Sequence, residues 1–466
     1  MLQQLLDLYT HGTDENIILN APNYGTTPIA KVGASGSKGV NSPKIVTGMT
    51  PITFDATGVP IVATAAEILA SSWYDYISQG TTLLVDGKTS KWANVQLLDG
   101  SQFVWIPRYA YKITYYTTSA LTTLSTNNAK TAYGAIDVKF LAGTSSNVTS
   151  TDGTITDLPI GYIVHPAFTA NIEAGGWDKE LTGVWVAKYE AGSDSTYAVT
   201  SVNSKKYPVF KPSQYSYNNI SIGESYSLSR ILTASGNPYG LTVAADSHLM
   251  KNSEWGAVAY LTHSQYGRNA TEVRINNYNL NVASGFYGVT GVGASTSNAV
   301  QNIPTDTLLS GIPTDNKYNG QYGVLASTTG NLYGIYDMSG GNWERTAGYI
   351  SNGHVNLTTY GASLLTEIGS TKYKTMYAYN SGDTDVLNYS QSPNTTRVGE
   401  AIWETSTGGT GASSWLSDGS SFVCSSAPFF IRGGIYNYGS GAGVFYFSNS
   451  SGSANGNYGF RTVLAV

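Results

Sequence analysis

Two stretches set the hydrophobic pattern of the chain. In FVWIPRYAYKITYY (residues 103–116) and GVWVAKYEA (residues 183–191), apolar and aromatic side chains crowd together between polar, Gly-rich flanks, which predicts strands. KNSEWGAVAYLTHSQYG (residues 251–267) instead carries Trp255, Val258, Ala259 and Leu261 at helical spacing, which predicts a helix capped by Ser253 and stopped by Gly267. A second, short helix is predicted over LQQLLDLY near the start. Most of the remainder alternates short strand-like runs with Ser, Thr, Asn and Gly loops, and no fixed-period repeat stands out. The expectation is an α+β chain, mostly β and irregular. Residues 1–72, punctuated by Gly and Pro, read as a small β-rich attachment or spacer region, and residues 73–466 as the main domain.

Composition narrows the function classes. Charged residues make up 12% of the 466, against about 25% in ordinary soluble domains, while there are 35 Tyr, 52 Gly and 9 Trp. Tyr offers a large amphipathic contact area at the loss of few rotamers, and Ser, Gly and Asn add adaptable hydrogen bonding, a mixture suited to binding. A net charge of −5 with no basic run gives no footprint for nucleic acid. One cysteine, Cys424, rules out an internal disulfide framework, and no Cys/His spacing suggests zinc. His11, His165, His248, His263 and His354 are scattered singly and read as surface or hydrogen-bonded residues, so no metal or cofactor is expected. The opening MLQQLLDLYTHGTDENIILN lacks a basic flank followed by a continuous apolar run, and no stretch of about 18 apolar residues follows, so neither a Sec signal nor membrane insertion is expected.

Four segments, FVWIPRYAYKI, GVWVAKYEAG, NLYGIYDMSGGNWERTAGYI and the terminal RGG…GFR, occur in an order that resembles the formylglycine-generating-enzyme type of C-type-lectin-like fold. The resemblance covers residues 73–466. It implies a strand and turn around a buried Trp343 and Glu344, with RGG leading into a final β-hairpin. Glu344 and Arg432 are then expected as a buried charge pair, tolerable only if fully hydrogen-bonded. The family's oxidase chemistry needs a reactive cysteine pair after RGG, and the segment from Arg432 to the end has none. Cys424 lies before it, alone, in an apolar-flanked stretch that suits an inert thiol. The implication is a fold without the enzyme.

The end of the chain explains what replaces that chemistry. GIYNYGSGAGVFYFSNSSGSANGNYG, residues 434–459, contains no Lys, Glu, Gln, Met or Trp, though all occur elsewhere. This looks like the variable region of a diversity-generating-retroelement target protein, in which adenines of Asn-type codons are randomised. An Asn codon altered at its first two bases yields Asn, Tyr, Ser, Gly, Ile, Phe, Ala or Asp, and none of the missing types. The bracketing RGG, AGVF and GFR elements resemble the fixed parts of such regions, here spanning about 432–461. Gly433 and Gly434 are expected to permit a tight turn, with Val444, Phe445 and Phe460 alternating into the core. Trp343, Glu344, Arg432 and Arg461 complete the scaffold. The ligand-binding face is expected from Ile435, Tyr436, Asn437, Tyr438, Ser440, Gly441, Tyr446, Ser448, Asn449, Ser450, Ser451, Asn455, Gly456 and Tyr458, with an exposed Ile435 as a hot spot.

VTGMTPITFD, SKWAN and FVWIPRYAYKI also resemble segments of prophage proteins. Together the resemblances imply a hypervariable phage-tail protein that binds a bacterial cell-surface receptor, protein or glycan. It would sit at the tail tip of the virion, docked on other tail proteins through its N-terminal region, with a homotrimer as the expected assembly. The competing classes are a formylglycine-generating oxidase, disfavoured by the missing cysteines, a cellular surface adhesin, which an export signal would have supported, and a calcium-dependent lectin, for which no EPN-like or WND-like motif is present.

Overall fold

The computed structural model describes residues 16–19, 29–32, 39–76, 90–126, 130, 133–193, 207–282, 285–296, 305–306, 309–367, 371–391 and 397–466. The helix expected over LQQLLDLY, and His11, lie outside the described residues. The chain is mixed α+β, rich in strands and irregular segments.

The strands that position the site are, in chain order, β1 (Thr50–Phe54), β2 (Pro60–Val62), β3 (Asn94–Gln96), β4 (Gln102–Pro107), β5 (Gly183–Ala187), β6 (Ser247–Leu249), β7 (Trp343–Ile350), β8 (Thr375–Tyr377), β9 (Ser420–Ser421), β10 (Phe429–Arg432), β11 (Phe447–Ser450), β12 (Tyr458–Phe460) and β13 (Thr462–Leu464). One sheet runs β6–β13–β5–β4–β3–β1–β2. At its centre β4 and β5 are the two strands the apolar runs predicted. Their register sets Trp105 opposite Trp185, with ring centroids 5.2 Å apart and both side chains fully buried. A strand buried on both faces carries a near-continuous apolar run instead of an alternation, which is the pattern seen here. The segment expected as a spacer supplies β1 and β2 to this same sheet, β1 pairing with β3, and it buries Val40, Ile45, Met49 and Ile52. Residues from 39 onward therefore pack continuously with the rest, and position 72 marks no break in the packing.

The second sheet runs β8–β7–β10–β11–β9, with Thr410–Gly411 beyond β9 and β12 lying parallel to β7. Three helices, α1 (Ile222–Arg230), α2 (Asn252–His263) and α3 (Val355–Thr366), complete the frame. Helix α2 exists where the pattern placed it, but every one of its residues is buried. Its first turn is closed by the Glu254 carboxylate accepting from the Lys251 amide at 2.8 Å, and Ser253 lies inside the helix, donating to the Gly175 carbonyl at 2.6 Å. The helix ends at His263, short of Gly267, which sits in the following turn where a Cβ would meet the Thr262 carbonyl oxygen at 2.4 Å. No helix among the described residues is long and apolar enough to cross a membrane.

Candidate ligand-binding surface

Strand β10 delivers Arg432 to the edge of the terminal segment, and its guanidinium is spent mainly on backbone, with a longer bond from Nη1 to Asn252 Oδ1 at 3.4 Å. It donates to the carbonyls of Tyr446 (2.8 Å), Glu400 (3.0 Å) and Ala401 (3.0 Å), with its plane over the Trp255 indole. The expected Glu344–Arg432 pair is not formed. The register of β7 and β10 does place the two residues opposite each other, yet the Glu344 carboxylate takes Arg461 instead, at 2.5 and 2.9 Å. Arg461 comes from the GFR bracket and also donates to the carbonyls of Ala187 and Tyr336, so this pair ties the end of the chain to the central sheet. Burial pushes the Glu344 carboxyl up to about 7 against the pull of Arg461, and it holds the Arg432 guanidinium down at about 10.

After Arg432 the chain turns through Gly433 and Gly434, at φ 84° and 76°, as the tight-turn expectation required. A Cβ on Gly434 would lie 2.6 Å from Ala442. The loop beyond is held by its backbone. The Gly433 carbonyl accepts from the amides of Gly340 and Gly443, the Tyr436 amide donates to the Gly341 carbonyl, and the Trp255 indole donates to the Val444 carbonyl at 2.8 Å. Asp418 accepts from the Phe445 amide at 2.8 Å. Except for the Gly443 amide, these anchors come from outside residues 434–459, and all of them grip main-chain atoms of the loop, so they do not depend on its side chains. Val444 and Phe445 are both buried but lie in a turn, not at alternating strand positions, and Phe460 is buried in β12. After RGG the chain forms no single closing hairpin: β11 returns antiparallel to β10, β12 runs parallel to β7, and β13 crosses to the other sheet.

The expected face divides into two groups. Ile435 is 2% exposed and Tyr436 8%, so the proposed hot spot is core. Tyr446 and Ser450 are buried as well. Their burial follows from the anchoring: the turn under Gly340 and Gly341 pulls residues 435 and 436 inward. Tyr438, Ser440 and Asn455 are exposed, and Asn437, Gly441, Ser448, Asn449, Ser451, Gly456 and Tyr458 are half-buried. Among these, Asn449 is partly committed, donating to Ser421 Oγ and to the Phe422 carbonyl.

Trp343 was expected as buried scaffold and is half-buried at the middle of this face. Tyr438 stands edge-on to it at 5.4 Å, Tyr458 leans on it at 5.4 Å, and its indole Nε1 donates to the Tyr446 hydroxyl at 3.2 Å. Tyr438 and Tyr446 are themselves 5.8 Å apart, and the buried Arg345 guanidinium lies 4.6 Å from the Tyr458 ring centre. The result is an aromatic ledge of Trp343 from β7 with Tyr438, Tyr446 and Tyr458 from the terminal segment. Its amphipathic rings, framed by hydroxyls and amides, offer stacking and neutral hydrogen bonding. The signal in the sequence was the position of Trp343 beside GGN, but only the pairing of β7 with β12 brings it against Tyr458.

The candidate thiol and imidazoles do not gather here. Cys424 is half-buried with its thiol pushed up by burial, which disfavours the reactive thiolate. His165, His248 and His263 are buried, not on the surface; His248 shares a hydrogen bond with Glu254, and His263 with the Gly134 carbonyl. His354 caps α3 through the Asn356 amide. Among the described residues, no three His, Cys, Asp or Glu side chains converge as metal ligands do.

No protein-family model matches the chain, and no curated protein does. Among solved structures, the chain is similar to Treponema denticola variable protein 1, at 13% identity and a TM-score of 0.25, over 62% of this chain and 86% of that one.

Proposed function

We propose that this chain is a ligand-binding protein whose specificity is set by a retroelement-diversified C-terminal surface on a C-type-lectin-like scaffold. The observation that carries the reading is the aromatic ledge of Trp343, Tyr438 and Tyr458, built from a segment whose residues are limited to what Asn-type codons become and whose anchors are main-chain atoms. Such a design lets side chains change while the backbone stays. Exposed substitutions away from caps and strained turns shift stability by about 0.5 kcal/mol or less.

In this reading the protein is no enzyme, and it needs no cofactor. Its partner is a bacterial cell-surface receptor, and its place is the tail tip of a phage particle, where three copies would add avidity to individually weak contacts. The prophage-like segments of the sequence favour that location over a cell-surface adhesin. The experiment that tests the core of the proposal is sequencing the DNA beside the gene. A near-copy of the stretch encoding residues 434–459, with AAC or AAT at positions such as 438, 440, 455 and 458, is the expected result. A complete neighbourhood with neither template nor reverse transcriptase overturns it.

A further inference from the structure

Beside the free edge of β8 lies a cleft of about 510 Å³, a size typical of small-molecule sites. Its floor is aromatic: Tyr377 and Trp403 have ring centroids 6.0 Å apart, and Trp403 and Phe422 5.3 Å. Over this floor lies Arg397, its guanidinium 5.0 Å from the Tyr377 ring centre. One guanidinium nitrogen, Nη2, donates to the Met376 carbonyl at 2.7 Å. The other, Nη1, is buried and has no hydrogen-bond partner, since Glu400 stands 3.9 Å away, beyond hydrogen-bond reach. Thr375 Oγ1, from the same wall, is likewise buried and unpartnered. Lys374 also lines the cleft and gives two donors to the carbonyls of Leu364 and Leu365. The lining holds one carboxylate, Glu173, and behind it the buried Glu400 carboxylate forms an ion pair with Arg397 at 3.9 Å, which leaves Lys374 as the cation without a carboxylate partner among the described residues of the cleft.

A desolvated guanidinium with an idle donor is costly unless an acceptor fills it, and an anionic oxygen is the acceptor that repays most. An idle hydroxyl on the same cleft lining adds a second polar contact, and the tilted rings of the floor offer an apolar surface. We propose that this cleft is a second binding site, fixed in sequence, for a small ligand that carries an anionic oxygen group. The anion meets Arg397 Nη1 and Thr375 Oγ1, and the body of the ligand lies toward Trp403 and Phe422. None of these residues belongs to the variable segment, so the site keeps one specificity while the terminal surface changes.

The test is ligand-observed NMR on the full chain with three probes: glucuronate, glycerol 3-phosphate and glucose. One acidic probe is expected to bind and glucose is not, and which acid binds tells a carboxylate from a phosphate source. Arg397→Gln should weaken that binding at least about tenfold, the loss of one charge-assisted hydrogen bond. Met376→Glu, at an exposed rim position, should weaken it comparably by repelling the anion without touching the core. Tyr438→Ala should leave it unchanged, which separates this site from the ledge. Absence of binding by both acids at about 10 mM, equal binding of glucose, or indifference to both cleft variants overturns the proposal.

Discussion

Arg461 grips Glu344 with two parallel hydrogen bonds, at 2.5 and 2.9 Å, in a site with no solvent exposure. The pair joins β7, which carries Trp343 of the aromatic ledge, to the residue that follows β12. Removing either partner strands a buried charge, a loss of roughly 3–5 kcal/mol. Arg461→Ala and Glu344→Ala should each lower the denaturant midpoint strongly, and the double variant should cost much less than the sum of the two. Arg432→Ala should be destabilising too, because three carbonyls lose their donor, but its effect should add to that of Glu344→Ala. A coupling between Glu344 and Arg432 as large as that between Glu344 and Arg461 would falsify the assignment of partners.

The Glu344 carboxyl also gives the fold a pH dependence. Burial raises it to about 7 from an ordinary 4.5, so the native state holds this proton more tightly than the unfolded chain. Its contribution to stability is fully present below pH 4.5 and is lost as pH rises through about 7. The buried His165 and His263, lowered to about 3 and 4, act oppositely: stability is lost as pH falls below 6.5, where the unfolded imidazoles take up protons. The parent profile mixes both trends, so the informative comparison is with Glu344→Gln, which keeps the shape and removes the titration. Relative to the parent, the Tm of the variant should improve steadily between pH 5 and pH 8. Parallel profiles would show that Glu344 does not titrate in this window.

The turn at Gly434 should be intolerant of any side chain. Gly434→Ala combines a positive φ with a contact of 2.6 Å to Ala442, so the loop has to move. The expected outcome is a loss of about 1–3 kcal/mol in thermal or urea unfolding. Gly441→Ala, where an added Cβ meets nothing within 4 Å, should be close to neutral. Equal effects at the two positions would mean that the turn is not the anchor.

How far the sequence spoke for the structure can be judged at particular residues. Dense apolar runs marked β4 and β5 because strands buried on both faces need no alternation, and Gly433–Gly434 marked the tight turn because positive φ favours glycine. Phe445 and Phe460 were legible as core for a related reason: large aromatics inside a polar stretch need somewhere to pack. The partner of Glu344 was not legible. Two arginines flank residues 434–459, and only the three-dimensional register decides that Arg461 meets the acid while Arg432 meets carbonyls. Ile435 was misread because its neighbours are polar, whereas its depth is set by Gly341 on a distant turn that bonds the Tyr436 amide. The cap of α2 was missed because Glu254 supplies it from inside the helix, and Ser253 is claimed by Gly175.

That division within the terminal segment yields the prediction with the widest reach. Side chains at 438, 440, 455 and 458 face outward or half outward, so they should decide what is bound while hardly affecting the fold. Ile435, Tyr436 and Tyr446 are buried and should decide whether the loop is presented at all. Replacing Tyr438 and Tyr458 with Ser, and Ser440 and Asn455 with Ala, should abolish attachment to receptor-bearing cells, since aromatic anchors at a hot spot carry about 2 kcal/mol or more each. The Tm should move little. Ile435→Ala should instead cost about 2–5 kcal/mol, and Phe445→Ala about 3–5 kcal/mol, harming every ligand alike. A library randomised across residues 435–458 and sorted first for folding, then for binding, reads all of this at once. Folding selection should restrict 435, 436 and 446 to apolar or aromatic residues and leave 438, 440 and 455 free, and binding selection should then narrow those three and 458. If folding selection narrows the outward positions as sharply as the buried ones, the ledge is ordinary scaffold and the receptor-binding reading falls with it.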